Sequence, residues 1–523
     1  MFIRCKKMPG TFRRAIMICH SARINGRMTQ ATLEYFGIAH SQAECDRLMA
    51  LAELKLKELK AKLKPIETPK IEELSEVKRV TEGFHDVFGH LYEQLDLKDL
   101  LPPLRYEQLK HIVIARIANP MSKLHTAKLL KRSFDKPLSE DQIYYVMDHI
   151  MKCDSAIRKK VFEKTLQMRG QSKINLLLFD VTTLYFESQK ADDLRDFGYS
   201  KDHKVGETQV VLALGTTTEG APIGYTLFSR KTAETSTLIA CLQEWKKEVA
   251  IENVMVVADR AMMSECNLSQ MDTEKYMYVV AAKLKQLPKE LKEKILKRKE
   301  ETQIEINGEQ LHIQEHTYQG RRLIISHSKS RATKDEIDRK RLIEKLRKKA
   351  PKQEVNPSKL ITNRGYLKFM DEHGVGKMVL NEKKIKEESR WDGLHGVITS
   401  DKEAPAAEVL ARYRNLWCIE ESFRLNKHTL AMRPIYHHKK ERIQAHVLIC
   451  YLAFALSRFA QMHLKAYGHP MSLERIREEL SEVETSVLTD GNKEYKLPSK
   501  LTKEGALIYR AIGIARSQRL VKV

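Results

Sequence analysis

Three short apolar runs follow one another just after residue 171, INLLLFDVTTLYF, TQVVLALGTT and APIGYTLFSR, and each reads as a strand. Strands packed so closely along the chain imply antiparallel pairing, with Gly220 and Pro222 at the last turn. A helix is predicted next, from about Glu234 to Val249, because Leu238, Cys241, Leu242 and Trp245 fall on one face. The strand NVMVVADR, a short helix around Asn267 and the strand KYMYVVAAK complete the series. The order β-β-β-α-β-α-β predicts an α/β core, a mixed sheet with helices packed against it.

The remaining chain is organised around that core. Residues 1–69 read as a small β-rich piece turning at Asn25-Gly26, then a helix from Gln42 to Lys64 and a linker marked by Pro65 and Pro69. Residues 70–170 read as a block of four or five amphipathic helices punctuated by Pro102-Pro103, Asn119-Pro120 and Lys136-Pro137. The core occupies 171–284. Residues 285–400 interrupt it with a Lys/Glu-rich helix, a hairpin turning at Asn307-Gly308, the strand RRLIISHS and a very charged helix ending near Lys349, an inserted α+β domain. Long helical patterns return over 401–465, and 466–523 is a mixed C-terminal region.

Charge narrows the partner. The 523 residues carry 92 Lys and Arg against 69 Asp and Glu, a net +23, which makes a polyanion the default partner and nucleic acid the first candidate. Arg116, Lys123, Lys128, Lys131 and Arg132 cluster in the helical block, as a DNA-contacting surface or as a solvated helix face. No stretch approaches the roughly 18 uncharged apolar residues of a spanning helix, and the start, MFIRCKKMPGTFRRAIMICH, does not read as a secretory signal, so a cytoplasmic protein without a membrane partner is expected. Eight cysteines without a C-x-x-C pair suggest neither zinc module nor disulfide framework. His437-His438 and His446 lack partners at finger spacing and read as surface or packing residues.

Two of the core strands carry a carboxylate: Asp180 inside LLLFDVTT and Asp259 at the end of VMVVADR. A carboxylate in an apolar strand is costly to desolvate unless a cation or hydrogen bonds compensate. Mg²⁺, held by one or two carboxylates with water and phosphate oxygens, is one such cation. For either Asp alone, a strand-end cap or an ion pair with a neighbour such as Arg260 is the competing reading. A third segment, YRNLWCIEESFRLNKHTLAMRPIYHH, adds Tyr413, Glu420 and Lys427 at intervals of seven, nearly two helical turns, so one helix would present all three on one face with Trp417 on or close to it. A carboxylate there completes metal binding, and Lys and Tyr can hold a phosphate; a solvated helix with incidental charges is the alternative.

The ordered trio Asp180, Asp259, Glu420 resembles that of the Asp-Asp-Glu (DDE) transposases of bacterial insertion sequences, and the last segment is similar to the Y-x2-R-x3-E-x6-K branch. Tyr413, Glu420 and Lys427 fall on its Tyr, Glu and Lys positions, while Leu416 stands at its Arg position, with Arg412 and Arg414 nearby, and Ala261 replaces the Gly that usually follows the Asp-Arg pair. The resemblance implies a ribonuclease-H-like catalytic core in which Asp180, Asp259 and Glu420 bind two Mg²⁺ ions, Mn²⁺ being able to substitute. It implies cleavage at terminal inverted repeats, joining of the freed 3′ ends to target DNA, and phosphate or DNA contacts from Tyr413, Lys427, Trp417, Arg414 and Arg424. Double-stranded DNA is then the substrate and a homodimer the expected synaptic assembly. A ribonuclease-H-like nuclease or resolvase, or a catalytically inactive DNA-binding descendant, are the alternatives.

Overall fold

The computed structural model describes the chain except residues 1, 8–12, 25–26, 62–73, 187–195, 198–207, 230–233, 249–254, 260–263, 299–300, 350–353, 356–367, 373–377, 492, 518 and 523. The Asn25-Gly26 turn expected from the sequence, the expected linker at Pro65 and Pro69, Arg260 and Ala261 therefore lie outside the described residues. Two compact units divide the chain: Met1–Gln171 with Leu184–Gln189 and Phe423–Val523, and Ser172–Thr183 with Lys190–Ser422.

The first unit begins with β1 (Phe2–Lys7), β2 (Arg14–Ile24) and β3 (Arg27–Ala39), an antiparallel sheet in that order, covered by α1 (Gln42–Ala61). Ile16, Ile18 and Ala39 pack on Cys45 and Ala52 of the helix. After β4 (Ser75–Thr81) come five helices, α2 (Gly83–Glu93), α3 (Pro103–Ala118), α4 (Lys123–Arg132), α5 (Glu140–Ile150) and α6 (Asp154–Arg169), the upper end of the number predicted. Proline opens α3, while the Ser122 and Ser139 side chains accept backbone N–H bonds at the starts of α4 and α5. The basic cluster of this block divides. Arg116 and Lys123 are buried, whereas Lys128, Lys131 and Arg132 are exposed.

The second unit is built on a 10-stranded sheet. In chain order its elements are β5 (Leu176–Tyr185), whose last two residues pass into the first unit, β6 (Asp196–Phe197), β7 (Thr208–Thr216), β8 (Pro222–Ser229), α7 (Glu234–Glu248), β9 (Met255–Ala258), α8 (Glu265–Thr273), β10 (Met277–Ala281), α9 (Lys289–Lys297), β11 (Thr302–Ile306), β12 (Glu309–Tyr318), β13 (Arg321–Ser328), α10 (Lys329–Lys349), β14 (Glu354–Val355), β15 (Met370–Glu372), β16 (Met378–Leu380), α11 (Glu382–Ser389), β17 (Leu394–Thr399) and α12 (Ala406–Arg414). Strands run β11-β12-β13-β17-β10-β9-β5-β7-β6, with β8 on β7. β5, β9 and β10 are parallel; β8 is antiparallel to β7 and β17 to β10. The order β-β-β-α-β-α-β is thus found, with the two-residue β6 added between the first and second of the expected strands.

Residues 285–400, expected as an inserted domain, do not stand apart from the sheet: β11, β12, β13 and β17 extend it beyond β10. An exposed edge at β10 would leave a row of unpaired backbone groups, and this meander covers it. The hairpin between β11 and β12 turns at Asn307 and Gly308, with φ of 53° and 79°, as a tight hairpin turn requires. Among the described residues of this segment only the short sheet β14-β16-β15 is separate; Phe369 and Met370 pack there on Leu346 of α10.

α13 (Trp417–Arg424) passes from the second unit into the first, which is completed by α14 (Lys440–Ala466), α15 (Leu473–Ser481), β18 (Glu484–Thr489), β19 (Glu494–Pro498), α16 (Lys503–Ile512) and β20 (Val521–Lys522). β18 pairs with β4, closing a sheet in the order β20-β19-β18-β4. α14 corrects one expectation. Its best 18-residue window has a mean hydropathy of 1.5, long and apolar enough to cross a membrane, yet 94% of that window is buried inside the protein. It is the core helix of its unit, packed on α2, α3, α5, α6 and α16.

Candidate active site

Asp180 and Asp259 are set by strand pairing. β5 and β9 run parallel in the register Phe179 opposite Ala258; Asp180 is the next residue of β5, and Asp259 the first residue beyond the end of β9. One oxygen of Asp180 accepts from the Val181 N–H at 2.7 Å. The Tyr413 hydroxyl donates to an oxygen of Asp259 over a long 3.5 Å.

Tyr413 lies in the last turn of α12, which packs across β9, β10, β11 and β17. Burial pushes its hydroxyl well above the usual tyrosine range, and the carboxylates Asp259 and Glu420 push the same way while Arg331 opposes them. Tyr413 therefore remains a proton donor throughout the neutral range. The His395 ring lies 4.9 Å from that of Tyr413, tilted by 38°. Two adjoining clefts, of about 900 and 520 Å³, share Asp259, Arg331, Asp335, His395 and Tyr413; the smaller also takes in Arg414, Trp417 and Glu420.

The expected single helix carrying Tyr413, Glu420 and Lys427 on one face is not what forms. α12 ends at Arg414 and α13 starts at Trp417. Across the joint, backbone bonds tighten to three-residue spacing, Leu416 to Tyr413 at 3.0 Å and Cys418 to Asn415 at 3.0 Å. After Arg424 the chain loosens into a π turn, Leu425–Thr429. A tight turn advances the phase and a wide one retards it, so a uniform seven-residue spacing does not define one face here.

Trp417 is 59% exposed on this cleft, so it is not core material. Leu416 is buried, and the neighbouring cations are engaged: Arg414 pairs with Glu309 at 2.6 Å, and Arg412 with Asp401 at 3.0 Å and Glu408 at 2.6 Å. Arg424 and Lys427 belong to the first unit. Arg424 is exposed, and the Lys427 ammonium lies 5.9 Å from the Phe423 ring centre. Of the histidines expected to be packing or surface residues, His446 is buried with a ring nitrogen 3.0 Å from the Met432 carbonyl, His437 is depressed to about 3 by burial and then by Lys123 and Arg116, and His438 is exposed.

Two carboxylates that directly follow a paired position of parallel β5 and β9 are the oxygen donors that Mg²⁺ accepts together with water and phosphate, so Asp180 and Asp259 fit such an ion. Among the described residues no three His, Cys, Asp or Glu side chains are grouped to hold a metal. Glu420 joins Asp259 in the cleft without completing such a group. Arg331 and His395 were missed in the sequence. A histidine inside the apolar strand LHGVIT was a faint signal for the second; Arg331, in a helix dense with both charges, carried none.

Residues 171–456 match the family model for the transposase DDE domain. That span is over half the chain, and the protein belongs to this transposase family. Among curated proteins, none matches. Of solved structures, the synaptic complex of the piggyBac transposase with hairpin DNA is similar at 10% identity, with a TM-score of 0.37 over 77% of this chain and 77% of that one. The Mos1 transposase paired-end complex with left transposon end gives 11% identity and 0.16, over 45% and 76%. The Mos1 strand transfer complex gives 10% and 0.15, over 43% and 71%.

Proposed function

We propose that this chain is the transposase of a bacterial insertion sequence, of the Y-x2-R-x3-E-x6-K branch, which binds terminal inverted repeats, cleaves DNA at the element ends and joins the 3′ ends to target DNA. The observation that carries the reading is that Asp180 and Asp259 each directly follow the paired residues Phe179 and Ala258 of parallel β5 and β9, and that Asp259 lines a cleft with Tyr413 and Glu420. The strand order β8-β7-β5-β9-β10, with β5, β9 and β10 parallel, supports a ribonuclease-H-like core.

Asp180, Asp259 and Glu420 would hold the divalent ions, Mg²⁺ or Mn²⁺. When bound, such ions activate an attacking water or 3′-hydroxyl and stabilise the leaving oxygen. The chain's own groups do the rest. Tyr413, protonated in the neutral range, donates to Asp259 and fixes the orientation of that carboxylate. Trp417 offers an exposed indole for stacking on a base, while Lys427 and Arg424 supply cations for phosphates. Arg414 contacts phosphate only by giving up Glu309. The helical block over 70–170 binds DNA through its exposed Lys128, Lys131 and Arg132, and the protein works as a homodimer at the bacterial nucleoid.

The test is Mg²⁺-dependent cleavage and joining of a labelled duplex carrying the element's own flanking inverted repeat, with wild type beside Asp180→Asn. Cleavage at the repeat boundary, at least roughly 100-fold weaker in the variant, is expected. Binding by both proteins without cleavage would instead assign a DNA-binding descendant, and equal cleavage by both would remove Asp180 from the site.

A further inference from the structure

The start of α10 faces the same clefts with more positive charge than its own fold uses. Arg331 lines both clefts and Lys334, one helical turn on, lines the one that holds Asp259 and Glu420. Two other charged residues of these turns have partners. Asp335 accepts the Gly393 N–H at 3.0 Å, and Arg339 is paired with Asp392. Ser328 accepts the Arg331 N–H at 3.1 Å, which fixes the helix start. The Arg331 guanidinium and the Lys334 ammonium make no ion pair or hydrogen bond among the described residues, and both are exposed.

Their position is unfavourable for the isolated fold. The first turn of α10 contains no acidic residue, so Lys329 and Arg331 crowd the positive end of the helix dipole. Unlike the exposed Lys340, which pairs with Glu336 at 2.6 Å, neither Arg331 nor Lys334 makes an ion pair within its own helix among the described residues. An anion entering the cleft would satisfy the helix end and both side chains together.

We infer that Arg331 and Lys334 form a phosphate clamp, gripping the DNA backbone beside the Asp180–Asp259 pair. The clamp rests on the proposed DNA-cutting function and extends it to residues outside the Y-x2-R-x3-E-x6-K segment. A carboxylate-lined cleft repels a polyanion; two cations on its wall that make no ion pair among the described residues supply the local attraction that lets a phosphodiester approach. Being donors without acceptor capacity, both side chains grip backbone phosphates without reading sequence.

The experiment measures equilibrium binding of the full chain to the labelled inverted-repeat duplex in EDTA, across a range of salt concentrations, for wild type, Arg331→Ala/Lys334→Ala, Arg331→Lys/Lys334→Arg, Lys345→Ala and Asp180→Asn. Each phosphate contact contributes about 0.9 to the slope of log affinity against log salt. The double alanine variant should flatten the slope by about 1 to 2 and weaken binding roughly 10- to 100-fold at moderate salt. The charge-conserving variant should restore the slope, and Lys345→Ala, removing an exposed charge further along the same helix, should leave it nearly unchanged. A double alanine variant with the wild-type slope, or one no different from Lys345→Ala, overturns the clamp. In that case continued binding by wild type and Asp180→Asn would leave the proposed function standing. Absence of salt-dependent duplex binding by wild type would overturn both.

Discussion

At the scale of single residues, burial moves the ionisation of hydrogen-bond donors. Tyr413 is protonated in the neutral range as any tyrosine is, and burial, with Asp259 and Glu420 nearby, pushes its ionisation further up. A hydrogen bond to a charged partner is worth about 1.5–3 kcal/mol, and at 3.5 Å the lower figure applies. Tyr413→Phe should therefore slow cleavage roughly tenfold and leave the pH profile unchanged near neutrality; single-turnover rates across pH check this, and an unaltered rate would show that the hydroxyl orients nothing. In the first unit, burial lowers Lys123 to about 7, with Arg116 adding to the effect. The unfolded chain binds this proton up to about pH 10.4, whereas the folded one releases it above about 7. Stability should accordingly rise with pH from about 7 to about 10 and stay lower at and below neutrality. Lys123→Met removes that penalty: thermal melts should show a gain of roughly 1–4 kcal/mol at pH 7 and a flatter pH dependence, while a loss would mean that the contact with His446 at 3.4 Å matters more. Asp180 and Asp259 stood out in the sequence because a carboxylate within an apolar run is unusual. Lys334 did not, since nothing local distinguishes it from the many other charges of α10.

The elements show which parts of the fold local sequence specifies. Runs of Leu and Val around Asp180 and Asp259, and the apolar face of α7, point to β5, β9 and the helix without ambiguity. What α7 packs against was not legible, because it depends on two glycines elsewhere in the chain. Trp245 is buried over Gly215 and Gly224, and its indole N–H donates to the Thr226 hydroxyl at 3.0 Å. A Cβ on Gly215 would meet the Trp245 ring at 2.5 Å and Leu177 at 2.8 Å. Gly215→Ala should thus cost roughly 1–3 kcal/mol by overpacking, read as a lower urea midpoint with an unchanged slope; an unchanged midpoint would mean that the indole shifts freely. Partner choice was equally hidden for β11, β12, β13 and β17. Their patterns announce strands, but whether these make a sheet of their own or extend the one that ends at β10 is a non-local question, decided by the pairing of β17 with β10 across more than 100 residues. The joint at Asn415 and Leu416 escaped for the opposite reason, since a tightened turn preserves helical composition.

The whole molecule is two units threaded through one another in sequence, and this limits how the chain can be divided. The first unit is assembled from three separate stretches, the last of which supplies α14, β18 and α16. Buried side chains of α14, from Ile443 to Phe459, fill the space between α2, α3, α5 and α6, and β18 completes the sheet that β4 enters. Each large apolar side chain so buried contributes about 1.5–3 kcal/mol, against a net stability of only about 5–15 kcal/mol for a domain. Loss of a few of them exceeds what the unit can tolerate. A chain ending at Ser422 would keep Asp180, Asp259 and Glu420 and every residue of the second unit, yet leave α2 through α6 without their central helix. It should show rapid proteolysis within residues 75–171, whereas the full chain resists cleavage there. A protease-resistant helical block in the truncated chain would mean that these five helices form a core by themselves. The long gap between the second and third carboxylates thus does more than separate site residues: the helix bearing Glu420 leads directly into the segment on which the other unit's core depends.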